Sequence, residues 1–323
     1  MNRWMRWLAV AFLVCTAGAA SAQDWPSRPI RFVVPWPPGG LNDTIARAFN
    51  DRVGQALGQP VVLDFKPGAA GRIGVSDVAR SAPDGYTVGM GNLGPLTIHP
   101  VLYKQMPYDV KKDLLPIAMF AASPLVLVVP VTSQFKSARD LVEAARARPG
   151  AYNFASVGLG SPAHLTFELV NAKAGIQIVH VPYKGTNEAL PAVIAGDVHA
   201  TFDTLSSLQP FIKAGKLRPL AVTTAERVAQ FPEVPTLKEL GLLDDPVLSW
   251  YALIAPARTP AAIVAKLYKA YGDAAQTPEI QKLLAAQGLI YLPMSSAEFQ
   301  AGIDKETARW ARIIQDHRIE VTP

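Results

Sequence analysis

Residues 30–65, IRFVVPWPPGGLNDTIARAFNDRVGQALGQPVVLDF, set the pattern that the rest of the chain repeats. Ile30–Val34 is a β-branched and aromatic run of strand character, and Pro35 stops it. Gly39-Gly40 then breaks the chain. Ile45, Phe49, Val53 and Leu57 follow at four-residue intervals and form one apolar helix face. Pro60 precedes a second strand, Val61–Phe65. Strand, helix and strand in that order form the unit that builds parallel sheets.

Working outward, the alternation continues. Pro67–Gly71 is a turn that leads into a short helix, Ile73–Arg80. In Pro83-Asp84-Gly85 proline fixes one φ and glycine permits another, so a turn precedes the strand Tyr86–Met90. Leu125–Val129 is an apolar strand. Ser137 predicts an N-cap, with Asp140 placed for a capping box, and Pro149-Gly150 ends that helix at Arg148. The strand Tyr152–Ser156, the loop Gly158–Pro162 and the helix Ala163–Ala174 follow. Then come Ile178–Val181, the Ala189–Ala195 helix, and the strands His199–Phe202 and Leu217–Val222. A helical region runs from Ala261 to the end, interrupted at Gly288 and Pro293. Two such series, before and after about residue 124, predict an α/β chain of two domains, each a mostly parallel sheet flanked by helices.

The first residues address the compartment. Arg3 and Arg6 precede an uncharged apolar run, Trp7–Ala20, and Ala20-Ser21-Ala22 offers small residues for a signal peptidase. This pattern predicts a secretory leader cleaved after Ala22. The run is shorter than the ~20 residues of a bilayer span. Cys15, the only cysteine, falls inside it, so a mature chain has no disulfide, thiolate site or thiol nucleophile. Residues 1–22 hold two arginines and no acid, which leaves 29 basic against 26 acidic residues, a net +3. That is too weak and dispersed for nucleic acid but mildly favourable for small anions.

Ligands of open α/β sheets bind at the carboxyl ends of strands, beside helix N-termini. Two loops there have unusual composition. Trp36-Pro37-Pro38-Gly39-Gly40, followed by Asn42, Asp43 and Thr44, reads either as an anion-accepting helix start or as a tight turn with an ordinary cap. In the second, Ser156–His164, Ser161 fits an N-cap and Pro162 the first helical position. Gly158, Gly160 and Ala163 also match G-x-G-x-x-A. The acidic partner of that fingerprint is missing, since Tyr183 and Lys184 stand where it belongs. Phe154 occupies the leading glycine position of a nucleophile elbow around Ser156. His99, His164, His180, His199 and His317 show no metal-ligand spacing. No cofactor, metal or catalytic residue is predicted. The competing enzyme reading is an exported α/β hydrolase using Ser161, His164 and Asp203.

The order of motifs resembles the Bug proteins, the extracytoplasmic solute receptors of the tripartite tricarboxylate transporter type. It is carried by Trp25–Ile30, Val34–Gly40, Lys66–Gly71, Ala82–Thr87, Pro107-Tyr108-Asp109, His180–Gly185, Ala214–Arg218 and Val234-Pro235-Thr236. The resemblance implies a two-lobed periplasmic-binding-protein (flytrap) fold. It divides the chain into lobe 1, residues 23–124 plus 250–323, and lobe 2, residues 125–249. It also implies a monomeric periplasmic receptor that holds a small carboxylate and engages membrane transporter subunits, or a receptor of the same fold that signals to a membrane sensor. Carried over by residue, the first-lobe contacts are Trp36, Gly39, Gly40, Asp43, Asn92, Leu93 and Gly94. The second-lobe contacts are Ser156, Gly160, Ser161, His164, Tyr183, Asp203 and Thr204. Trp36 stands where the family commonly has phenylalanine; it reads either as a surface for stacking an aromatic acid or as a larger apolar wall of the cleft, and the second is the preferred reading.

Overall fold

The structure, a computed structural model, describes residues 25–316. The predicted leader, with Cys15 and its cleavage point, and His317 lie outside the described residues. In chain order the first elements are β1 (Ile30–Val34), α1 (Leu41–Leu57), β2 (Val61–Phe65), α2 (Arg72–Ala79), β3 (Thr87–Asn92), α3 (His99–Leu102), α4 (Val110–Asp113) and β4 (Leu114–Pro130). Next come α5 (Ala138–Ala147), β5 (Asn153–Ser156), α6 (Pro162–Ala174), β6 (Val179–Pro182), α7 (Thr186–Ala195), β7 (Ala200–Thr204), α8 (Leu205–Lys213) and β8 (Leu217–Val222). β9 (Leu248–Pro256), α9 (Ala261–Ala275), α10 (Pro278–Ala286) and α11 (Ser296–Asp316) complete the described chain.

The strands make two sheets joined through β4. In the first the order is β2-β1-β3-β9-β4, with β1 parallel to β2 and β3 and with β9 antiparallel to β3 and β4. Four of its five strands therefore run the same way. The second has β8-β4-β7-β5-β6, where β5 is parallel to β6 and β7 and β4 is antiparallel to β7 and β8. Again one strand opposes the other four. β4 serves both: Leu114–Pro124 pairs with β9, whereas Leu125–Val128 pairs with β7. The two-lobed α/β fold expected from the alternation is present.

Each lobe encloses its own aromatic core. Phe32, Phe49, Phe120 and Tyr271 bring β1, α1, β4 and α9 together, and all four are essentially inaccessible to solvent. Phe154, Phe167 and Phe202 do the same for β5, α6 and β7, with Phe154 and Phe167 stacked at 4.0 Å. Burying one such side chain contributes about 1.5–3 kcal/mol.

Local chemistry explains most helix starts. Ser137 accepts from the Asp140 N–H and the Asp140 carboxylate accepts from the Ser137 N–H, which completes the expected capping box. Several elements exceed the sequence reading. β4 begins at Leu114, eleven residues before the expected Leu125, because a strand buried on both faces shows a continuous apolar run instead of alternation. Its internal Pro116 and Pro124 also argued against a strand. β9 and α8 were not anticipated; α8 contains Pro210. α7 starts at Thr186, not Ala189, and β7 runs on to Thr204, so Asp203 belongs to the strand and not to a loop after it.

Candidate functional site

Four helices begin on one cavity between the lobes. The N-cap residues Gly40 of α1, Ser161 of α6, Gly185 of α7 and Thr204 of α8 all line it. Only α6 has a side-chain cap, where Ser161 Oγ accepts from the His164 N–H at 3.3 Å. The starts of α1, α7 and α8 lack one. Such helix ends hold unpaired N–H groups and partial positive charge.

The starts of α1 and α7 share a device across the lobes. Gly40-Leu41-Asn42-Asp43 and Gly185-Thr186-Asn187-Glu188 each place a carboxylate at the third helical position. Asp43 Oδ2 accepts from the Gly39 N–H at 2.9 Å, and Glu188 Oε2 from the Lys184 N–H at 3.4 Å. The Asp43 charge is also matched by Arg47, whose Nε lies 2.6 Å from Oδ1.

The cavity encloses about 970 Å³ including its open mouth. Trp36, Leu41, Pro95, Leu125, Val157 and Ala163 form its apolar wall. Trp36 is fixed in place, since its Nε1 donates to Asn92 Oδ1 at 3.1 Å. Asn92 Nδ2 in turn donates to Asn42 Oδ1 at 3.2 Å. Asp203 is buried in the opposite wall. Its Oδ2 accepts from Thr186 Oγ1 at 2.8 Å and its Oδ1 from the Thr204 N–H at 2.6 Å. Burial raises its pKa above the ordinary carboxyl value, and the hydrogen bonds from Thr186 and Thr204 oppose that rise. Among the described residues no lysine, arginine or histidine lines the cavity.

Of the residues expected at the site, Trp36, Gly40, Asn92, Gly94, Ser161, Asp203 and Thr204 line this cavity. Gly39 lines an adjoining opening with Thr44 and Asn187. The other six sit behind the surface. Asp43 is turned back onto the Gly39 N–H and Arg47, and Leu93 is buried in the apolar core. Tyr183 gives its N–H to the Ser156 carbonyl at 2.9 Å and packs its side chain on the second-lobe core.

Ser156, Gly160 and His164 brace the loop after β5. Ser156 Oγ lies 2.6 Å from His180 Nε2 and accepts from the Gly158 N–H at 3.1 Å. His164 Nδ1 accepts from the Gly160 N–H at 3.2 Å, and its ring stacks on His180 at 4.1 Å. Burial lowers the pKa of His164 to about 3, with His180 adding to the effect, and burial lowers that of His180 to about 4. Both rings are therefore neutral near pH 7.

The lobes also touch beside the cavity. His99 Nε2 meets the Gly160 carbonyl at 3.1 Å. Because a carbonyl only accepts, Nε2 carries the proton. Tyr103 donates its hydroxyl to the Leu159 carbonyl at 3.0 Å. Asn187 Nδ2 approaches the Pro38 carbonyl at 3.4 Å from the other side. Burial lowers the His99 pKa to about 3, assisted by the Arg72 charge.

The hydrolase constellation is not assembled. Ser161 Oγ bonds the His164 backbone and not its ring, while Asp203 is engaged by Thr186 and Thr204. The Ser156–His180 pair lies off the cavity, with Ser156 buried and His180 half-buried, and His180 meets no carboxylate among the described residues. No group of three His, Cys, Asp or Glu side chains is placed to hold a metal among the described residues.

Several lining residues are absent from the sequence reading: Leu41, Thr186, Ser207, Ser249 and Tyr251; Asn42 is read at the helix start but not among the expected contacts. The repeated G-x-N-[DE] motif would have signalled Thr186. Ser249 and Tyr251 arrive on β9, whose existence had not been read.

Comparison with known proteins identifies the family. Residues 45–319 match the family described as tripartite tricarboxylate transporter family receptor. The chain is 35% identical to Protein BugT of Bordetella pertussis over 320 residues, 98% of each chain. An R. palustris protein solved with adipate has 34% identity and a TM-score of 0.88, covering 92% of this chain and 99% of that one. MatC from Rhodopseudomonas palustris, solved with bound malate, has 29% identity and a TM-score of 0.85, covering 90% of this chain and all of that one. This is a family of solute-binding receptors, not of enzymes, and the chain belongs to it.

Proposed function

We propose that the protein captures a small organic carboxylate between its lobes in the periplasm and delivers it to a tripartite tricarboxylate-type membrane transporter. The observation that carries this reading is the set of four helix N-termini around one cavity. Partial charges and backbone N–H groups bind an anion without a cationic side chain, provided water is excluded. The adipate and malate bound by the two structural relatives support the same class.

The division into lobe 1, residues 23–124 plus 250–323, and lobe 2, residues 125–249, belongs to this reading. The partner exchange of β4 near Pro124 and the start of β9 at Leu248 support it. So does export: the N-terminal segment has the composition of a cleaved leader, and no helix among the described residues is long and apolar enough to cross a membrane. The protein acts as a monomer that meets the transporter with the outer surfaces of both lobes.

The test is mass spectrometry of whatever co-purifies with the protein, followed by a thermal-shift screen of ligand-stripped protein. A carboxylate is expected in both. Hits confined to neutral sugars or amines would overturn the reading.

A further inference from the structure

Two asparagines hold the same position in two of the helix starts that line the cavity, Asn42 in α1 and Asn187 in α7. Their side-chain amides are used differently. Asn187 donates its Nδ2 to the Pro38 carbonyl at 3.4 Å. Asn42 instead accepts through Oδ1, from Asn92 Nδ2 at 3.2 Å. Its own Nδ2 has no partner among the described hydrogen bonds.

The orientation of Asn42 is imposed from a distance. The row of amides starts at the Trp36 indole, whose N–H only donates. It lies 3.1 Å from one amide atom of Asn92, which must therefore be the oxygen. Asn92 Nδ2 is then the atom that faces the Trp250 carbonyl, a group that only accepts, at 3.4 Å. A fixed donor on one side and a fixed acceptor on the other set Asn92, and Asn92 sets Asn42. Asn92 is only 5% exposed, so turning it over would bury the indole N–H against an amide NH2. The indole itself rests against Gly71, where a Cβ would come within 3.4 Å of it.

Asn42 stands at the second position of α1, where the backbone N–H also lacks a partner within the helix. Its side-chain NH2 adds a further neutral donor at that helix end.

We infer that Asn42 is a specificity-determining residue of the cavity, its Nδ2 donating to an oxygen of the bound carboxylate at the start of α1. Trp36 and Asn92 are positioning residues that hold it in the donating orientation. The inference rests on the carboxylate reading above. It requires an acceptor oxygen at the α1 end of the ligand and refuses an ammonium group there.

Asn42→Asp is the sharpest variant, because aspartate has nearly the same shape, still accepts from Asn92 Nδ2 and replaces the donating NH2 with an oxygen. A carboxylate at a helix start also favours the fold. Calorimetric titration of the ligand-stripped full chain with adipate and with malate should show affinity falling at least about thirtyfold. Melting temperature without ligand should hold or rise. Asn42→Leu removes the donor without adding charge and should weaken the same acids about tenfold. Trp36→Phe keeps a ring but removes the indole donor. It should weaken binding in the wild-type background and do so less in Asn42→Leu. In NMR spectra of the ligand-free chain, the Asn42 side-chain amide is identified by its loss in Asn42→Leu. It should shift in Trp36→Phe, and in wild type on adding adipate.

Full affinity in Asn42→Asp, or a melting temperature that falls in step with affinity, would overturn the inference and leave the carboxylate reading standing. Equal effects of Trp36→Phe in both backgrounds would do the same. So would an Asn42 amide signal that ignores Trp36→Phe, before any acid is added. A wild-type chain that takes neither adipate, malate nor any other acid of the screen would sink both.

Discussion

The loops after β1 and β5 occupy corresponding places, each leading from a strand to a helix at the cleft, yet they are built in opposite ways. Around Gly40 the backbone is open. A Cβ there would meet nothing within 4 Å, φ is −94°, and no side chain caps the helix. Around Gly160 everything is engaged. Ser161 caps the helix, His164 and His180 stand behind the loop, and His99 and Tyr103 reach it from the other lobe. The first loop leaves the Gly40 start of α1 uncapped at the cavity and meets the other lobe through the Pro38 carbonyl alone among the hydrogen bonds described. The second meets it through two carbonyls, those of Leu159 and Gly160. Similar sequence punctuation therefore gives an open cavity wall in one case and a joint between the lobes in the other.

Gly160→Ala should break the joint most severely. Its φ is +74°, and a Cβ would approach His99 and Leu102 to 2.9 Å. Left-handed strain alone costs about 1–2 kcal/mol, and neither packed neighbour can withdraw cheaply. Ligand affinity and melting temperature should both fall, as read by calorimetry. Wild-type values in both would show that the loop does not join the lobes.

Acidification should loosen the same loop more gradually. His99, His164 and His180 have folded pKa values of about 3, 3 and 4, below the ordinary 6.5. Between those values the unfolded chain binds protons that the folded chain refuses, so their contribution to stability is full above pH 6.5 and lost as pH falls towards 4. Asp203 acts with the opposite sign: its raised pKa favours the fold at low pH and loses that effect as pH rises through the raised value. Melting temperature measured from pH 7 to pH 4 should fall, and His164→Gln should flatten the slope. An unchanged slope would remove His164 from the brace.

Smaller still is Ser161→Ala, which should lose about 0.5–2 kcal/mol in denaturant unfolding. A loss in affinity larger than this would mean that Ser161 also touches the ligand. The smallest effect on stability belongs to Gly40→Val, expected within about 0.5 kcal/mol of wild type. Its side chain enters the cavity, so affinity should nevertheless fall. Unchanged affinity would remove this loop from the ligand surface and erase the contrast with Gly160.

Elements governed by nearest neighbours were legible in the sequence. The capping box at Ser137, the Ser161-Pro162 helix start and the α1 face of Ile45, Phe49 and Val53 required only local rules. The two loops at the cleft were found for the same reason. Long-range partnership was not legible. β4 looked less than a third of its length because nothing near Leu114–Pro124 reveals that β9 will cover it. Ser156 and His164 look like ligand donors in a glycine-rich loop, and only the stacked His180 ring shows them facing inward. Ser249 and Tyr251 reach the cavity from a strand far along the chain.

That late strand has a consequence for how the molecule comes into being. A chain made from its N-terminus contains β1 to β4 long before Leu248–Pro256 exists. Until β9 arrives, β3 and the first part of β4 lack the neighbour that lies between them, and both show bare backbone edges open to pairing with another chain. The second lobe lacks this gap, since all its strands lie within the uninterrupted stretch from Leu125 to Val222. It can close while the first still waits. A truncation between Val222 and Leu248 keeps every strand of the second sheet and is expected to leave the first sheet unfinished and aggregation-prone.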